Sequence, residues 1–120
     1  MHNDKPLAVL KQDFSDALAL FLSGDGEFIG RSELFRGYNR LLSAANKDPE
    51  ILKFVFSSLL DALDDAPDGE VARVLHLYIF QDFLESHSSE PSVQETIVRF
   101  LDGGTLHKLP LQIALGQYRP

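Results

Sequence analysis

The stretch that decides the fold covers residues 71–84 and reads VARVLHLYIFQDFL. Ten of its fourteen residues are apolar, and on a helix they would cover more than half of the circumference. A surface helix presents one apolar stripe, whereas a helix that is apolar nearly all round is buried by its neighbours. The stretch therefore predicts the central helix of a small all-helical domain.

The composition indicates one globular domain. The chain has 120 residues, of which 44% are hydrophobic, and this suits a single domain over residues 1–120 with its own core. The absence of cysteine excludes disulfides, thiolate metal sites and cysteine nucleophiles. No apolar run approaches the roughly 20 residues of a membrane span, and the N-terminal run is too interrupted for a signal peptide. We expect residence in the cytoplasm and no membrane partner.

The charge balance is acidic. Eleven lysines and arginines face eighteen aspartates and glutamates, which gives a formal net charge of −7. Nucleic-acid affinity depends on lysine and arginine contacts to phosphate, so we expect no nucleic-acid partner. An acidic surface suits a basic partner, which it attracts over long range; the alternative is that the charge serves solubility alone.

Apolar residues recur at steps of three and four along most of the chain, which is the amphipathic helix pattern. The clearest start signal is Asp48-Pro49-Glu50: a capping carboxylate, a proline at the first helical position and an acid facing the helix dipole. Residues 105–117 are too apolar for a free tail and should pack on the core as a short helix. The five predicted helices cover approximately residues 6–22, 32–46, 49–64, 69–86 and 91–102.

The chain also contains a weak internal repeat. A shift of 42 residues places Asp48-Pro49 on Glu90-Pro91 and Val55 on Ile97. This period lies in the range of helical-hairpin repeats of the HEAT and armadillo type, whose hairpins stack and bury each other's faces. We therefore expect an all-α fold of five helices in stacked antiparallel hairpins, a short HEAT/armadillo-like α-solenoid. An orthogonal helical bundle is the alternative, because amphipathic helices of similar length would give the same pattern.

Acidic residues concentrate at the turn between the third and fourth helices. They form either a surface that faces a partner or a solvated turn with helix caps. Their spacing does not supply the oxygen ligands of an EF-hand calcium loop. Two further acids lie near the far end of the fourth helix, at the other place where we expect function. The candidate partner-binding residues are Asp61, Asp64, Asp65, Asp68, Glu70, Asp82 and Glu85.

No motif in the chain indicates catalysis. His76 has Phe80 at i+4 rather than a second histidine, so the zinc-binding His-Glu-x-x-His pattern is absent, and no serine lies in a nucleophile elbow. We predict no catalytic residue, no cofactor and no metal. The alternative is an enzyme with an unrecognised site among His76, Tyr78 and Asp82.

The middle third of the chain resembles a known class of proteins. Residues 57–65, SSLLDALDD, are followed by Glu70-Val71 and then by Leu75-His76 inside an apolar helix. This pattern, an acidic turn followed by an apolar helix, resembles that of the small acidic all-α immunity proteins of bacterial polymorphic-toxin and contact-dependent inhibition systems. The resemblance implies a protein that binds a cognate toxin domain and blocks it. The contacts that it would imply are Asp61, Asp64, Asp65, Asp68 and Glu70.

Three non-enzymatic functions follow from these observations. The first is an immunity protein whose carboxylates cover the basic, nucleic-acid-handling surface of a toxin. The second is a nucleic-acid mimic that inhibits a DNA- or RNA-binding enzyme; it requires acids spaced regularly along one face, whereas these acids cluster in turns. The third is a small helical adaptor or structural module.

Overall fold

The computed structural model describes residues 6–25, 28–67 and 69–119. Within these ranges the regular structure consists of helices, with no strand, so the all-α prediction is confirmed. α4 is one continuous helix of three segments, Glu70–Val74, Leu75–Phe80 and Gln81–His87. The other five helices are α1 (Leu7–Leu20), α2 (Phe28–Ala45), α3 (Pro49–Asp65), α5 (Pro91–Gly103) and α6 (Leu109–Gln117).

The C-terminal segment forms the short packed helix that was expected, α6, with Leu111 and Leu115 buried. With it the described part of the chain has six helices, so the fold is not limited to the five counted in the prediction. One helix differs from the expected bounds. α2 begins at Phe28, four residues earlier than predicted. Glycine is a weak helix former, but Gly30 lies in the first turn of α2, where the main-chain N–H groups have no partner inside the helix in any case.

The start signal of α3 is confirmed. The side chain of Asp48 accepts a hydrogen bond of 2.9 Å from the main-chain N–H of Glu50, and Pro49 occupies the first turn of α3. Gly104 ends α5 in the left-handed conformation, with φ of 64°, which a residue without Cβ adopts at little cost. Local sequence therefore determines where α3 begins and where α5 ends.

The helices pack into a slab. α1 lies along α2, where a Cβ added at Gly37 would come within 3.4 Å of the Cα of Phe14. α3 lies along α5, and the Phe56 ring of α3 stacks on Phe80 and Phe83 of α4, with centroids 6.0 and 5.2 Å apart. The molecule measures 45 × 32 × 19 Å, so it is about two helix diameters thick. None of the helices in the described ranges has the length and apolar character needed to cross a membrane.

α4 lies in the core as predicted, but it is not buried all round. Its middle segment, Leu75–Phe80, is π-helical. Leu77 and Tyr78 are exposed, at 52% and 59% of their accessible surface, so the expectation that the whole circumference is buried is wrong at these two residues. The buried residues come in adjacent pairs, which are Val74 with Leu75, Ile79 with Phe80 and Phe83 with Leu84.

The spacing of these pairs explains the π-helical segment. The second pair follows the first after five residues, and the third follows the second after four. A π turn makes i→i+5 hydrogen bonds, so the extra residue brings both of the first two pairs to the core. Leu77 and Tyr78 fall between them and point away from it.

Candidate functional site

The predicted partner-binding acids are distributed over two helices. Three of them lie in the last two turns of α3, and the others that the structure describes lie on α4. Asp68 lies outside the described residues. The contacts of each carboxylate show which are engaged within the chain and which are not.

Asp64 is engaged by the connection that precedes α6. Its side chain is only 10% exposed. The main-chain N–H groups of His107 and Lys108 donate to Oδ1 at 2.8 and 3.0 Å, and the His107 ring Nδ1 lies 3.0 Å from Oδ2. Burial acts to raise the pKa of Asp64, but the hydrogen bonds from Lys108 and His107 outweigh it and hold this pKa below its ordinary value. The carboxylate therefore fastens the connection before α6 to the end of α3.

The acids on α4 also have partners within the chain. Asp82 accepts a hydrogen bond of 3.0 Å from the hydroxyl of Tyr38 on α2. Glu85 accepts one of 3.2 Å from Gln81, and Glu70 forms an ion pair with Arg73. The proposed contacts on α4 would therefore have to be shared with these partners.

Asp61 and Asp65 differ from the other acids. Both are exposed, and in the described part of the chain no cation or hydrogen-bond donor pairs with either. They are one helical turn apart on α3, a rise of about 6 Å. Partial burial, and then the charges of Asp65 and Asp64, raise the pKa of Asp61. These two carboxylates therefore form no ion pair with a described residue, although the ammonium of Lys108 lies at the same end of α3, where it donates to the main-chain carbonyl of Ala66.

These two carboxylates lie on the edge of an apolar groove of about 360 Å³. Two alanines four residues apart, Ala62 in α3 and Ala66 directly after its end, leave the space, because their side chains are too short to fill it. Leu22, from the π-helical turn Phe21–Asp25 after α1, and Val71 of α4 also line the groove. The full lining is Leu22, Asp61, Ala62, Asp65, Ala66, Pro67 and Val71.

The groove can therefore do two things chemically. Its apolar lining can take an aliphatic or aromatic group out of water, which is favourable in proportion to the area buried. Its carboxylates can hold cations beside that group. The size lies near the lower end of the roughly 300 to 1,000 Å³ of typical ligand sites.

The residues of the enzyme alternative are not brought together. The ring of His76 packs against Phe80, with centroids 5.4 Å apart, and burial lowers the pKa of His76. Asp82 bonds to Tyr38, and Tyr78 is exposed. No hydrogen bond between described residues links His76, Tyr78 and Asp82. In the same ranges no three histidine, aspartate or glutamate side chains are grouped as metal ligands.

The sequence indicated the two acidic residues at the edge of the groove, Asp61 and Asp65, but not the apolar residues that line it. Leu22, Ala62 and Ala66 were not among the predicted site residues. The signal for the two alanines was their spacing of four residues at the end of α3, next to acids on the exposed side of the same helix; nothing in the sequence indicated Leu22. No protein-family model matches the chain, and neither the curated proteins nor the solved structures contain a significant match.

Proposed function

We propose that this chain is a non-enzymatic protein-binding protein, and in particular an immunity protein that binds and blocks a basic toxin domain in the bacterial cytoplasm. The observation that carries the proposal is the apolar groove beside Asp61 and Asp65, whose carboxylates have no cationic partner among the described residues. A basic protein surface supplies the cations that these acids lack. A toxin domain that acts on nucleic acid carries such a surface, because it must bind phosphate.

The two parts of the groove contribute differently to such a complex. The net charge of −7 and the open carboxylates accelerate the encounter with a basic partner. Apolar groups that become buried in the groove slow dissociation, because well-packed central contacts carry most of the binding energy in protein interfaces. Inhibition follows when the bound chain covers the surface that the toxin needs for its substrate.

The experiment is a growth assay with any toxin domain that is encoded beside this gene. Wild-type chain should restore growth and co-purify with the toxin, and high salt should weaken the complex. The variant D61N/D65N should bind more weakly than E95Q/D102N, which removes the same charge from exposed positions on α5. Failure of the wild-type chain to bind or neutralise any toxin domain encoded beside it would reject the immunity function.

The choice of substitutions follows from the contacts. Asp64 is left intact in both variants because it accepts hydrogen bonds from His107 and Lys108. Its replacement would loosen the connection before α6, and weaker binding could then reflect a change of structure. Asp61 and Asp65 have no such role, so their removal tests the surface charge alone.

We also propose that the helices are arranged as the stacked antiparallel hairpins of a short α-solenoid. α1 lies along α2, and α3 lies along α5, which is the helix one 42-residue repeat further along the chain. The thickness of 19 Å suits two helical layers. An experimental structure in which α1–α2 superposes on α3–α4 would support the arrangement, and crossed hairpins would favour the orthogonal bundle.

A further inference from the structure

We infer that the groove binds an amphipathic helical segment of the partner protein. This segment would insert one apolar side chain between Leu22 and Val71 and place two cationic side chains, one turn apart, against Asp61 and Asp65. The inference rests on the proposed function and specifies the chemistry of its partner.

The spacing of the two carboxylates predicts the spacing of the cationic residues on the partner helix. Asp61 and Asp65 are separated by one turn of α3, about 6 Å along its axis. A partner helix that runs along α3 has the same rise, so lysines or arginines at its positions i and i+4 match both acids. A single exposed ion pair contributes little, but two pairs in a fixed register also set the orientation of the segment.

The apolar lining of the groove predicts the position and the size of the apolar side chain on the partner helix. Ala62 and Ala66 leave a space that Leu22 and Val71 border. A residue at i+3 of the partner helix lies on the same face as cations at i and i+4. Leucine or phenylalanine at that position would enter the space as the cations reach the rim.

The fold favours a helix over an extended peptide. Extended segments usually bind by adding a strand to a sheet edge, and the described ranges of this chain contain no strand. The groove lies between helical segments, from Leu22 on one side to Val71 on the other. Docking of an amphipathic helix in such a groove is the recognition mode that this arrangement allows.

The test uses designed peptides of about 15 residues, a length at which alanine-rich helices become stable in water. One peptide carries lysines at i and i+4 with leucine at i+3, and a second has the same composition in scrambled order. Binding is followed by the amide NMR signals of the full chain. The first peptide should shift the signals of Leu22, Ala62 and Val71 saturably, and the scrambled peptide should bind about tenfold more weakly.

Two variants separate charge from shape. D61N/D65N should weaken the peptide about tenfold, or about 1.4 kcal/mol, while E95Q/D102N should leave its affinity unchanged. A62L fills the groove without altering the charge and keeps a good helix former in α3; it should also weaken the peptide about tenfold. Spermine, which has cations and no apolar anchor, should bind weakly and should not respond to A62L.

Several results would overturn the inference: no saturable shift, shifts confined to other surfaces, or spermine binding as tightly as the peptide. These outcomes differ from failure of the proposed function. A chain that neutralises its toxin but does not bind the peptide in the groove remains an immunity protein, and the groove is then not its contact. A chain that binds the peptide but neutralises no toxin keeps the helix-binding groove and loses the immunity function.

Discussion

The hydroxyl of Tyr38 donates a hydrogen bond of 3.0 Å to the carboxylate of Asp82, 44 residues further along the chain. Tyr38 is buried in α2, whereas Asp82 lies on the exposed side of α4. The bond therefore connects the first helical pair to the central helix. It gives a residue that was predicted as a partner contact a defined role inside the fold.

Loss of this bond should destabilise the protein modestly. Y38F keeps the ring in the core and removes only the hydroxyl, and a typical hydrogen bond contributes about 0.5–1.5 kcal/mol. We expect a decrease of that size in the free energy of unfolding, measured by urea denaturation at pH 7. D82A should cost a similar amount, and the double variant should cost less than the sum of the two. Additive effects would show that the two groups do not interact.

The same bond predicts the behaviour at alkaline pH. Burial, and then the charge of Asp82 and its hydrogen bond, raise the pKa of Tyr38 above the ordinary value. A raised pKa in the folded state stabilises the protein fully below the unfolded pKa of about 10, and this contribution is lost as the pH rises above it. The stability advantage of wild type over Y38F should therefore hold from pH 8 to about pH 10 and be smaller at about pH 11. A constant difference in urea unfolding across this range would contradict the assignment.

Asp64 should contribute to stability at neutral pH and lose this contribution in acid. Its carboxylate accepts three hydrogen bonds from His107 and Lys108, and hydrogen bonds to charged groups contribute about 1.5–3 kcal/mol. We expect D64N to cost an amount in this range at pH 7. Because the pKa of Asp64 is lowered in the folded state, the contribution is present above the unfolded pKa of about 3.9. It disappears as the pH falls through the folded value.

The matched control is D65N, which removes the same charge one residue away. Asp65 has no hydrogen bond among the described residues, and its charge repels that of Asp61, so its replacement should not lower the unfolding midpoint at pH 7. Hydrogen exchange gives a second readout, since D64N should expose the amides of residues 105–108. If D64N and D65N behave alike, the carboxylate of Asp64 does not fasten this connection.

The register of the π-helical segment can be tested with two neighbouring leucines. Leu75 is fully buried, whereas Leu77 is half exposed. L75A should cost about 2–5 kcal/mol because it leaves a cavity in the core, while L77A should cost less than about 1 kcal/mol, as most exposed substitutions do. Urea denaturation measures both. Equal losses would show that α4 is a regular helix buried on all sides.

The two leucines also show what sequence could and could not establish. The apolar content of Val71–Leu84 correctly placed this helix in the core, since ten apolar residues must largely leave water. Which side of the helix is buried depends on the five-residue spacing between the buried pairs that begin at Val74 and Ile79. In the sequence alone, the apolar residues between these pairs make the helix look buried all round. The local signal was more reliable at the start of α3, where Asp48 caps the helix, because a cap depends on only a few adjacent residues.

The candidate site was predictable in part for the same reason. Acidic residues near the end of α3 are visible in the sequence, but their partners are not. Asp64 meets His107 across 43 residues, and Leu22 reaches the groove from the turn after α1. Only the packing of distant segments shows that Asp64 accepts hydrogen bonds within the fold, whereas Asp61 and Asp65 are exposed without such partners among the described residues.

Asp61 and Asp65 should lower the stability of the free protein. Partial burial and the neighbouring carboxylates raise the pKa of Asp61; its contribution to stability is therefore present below the unfolded pKa of about 3.9 and is lost as the pH rises above it. At pH 7 the charged pair opposes folding, so D61N/D65N should unfold at a higher urea concentration than wild type. Salt should reduce the difference, because the Debye length decreases from about 30 Å at 0.01 M to about 10 Å at 0.1 M. E95Q/D102N removes acids that pair with Arg99 and Arg119 and should give no such increase. If neither variant gains stability at low salt, the two carboxylates of the groove do not repel each other.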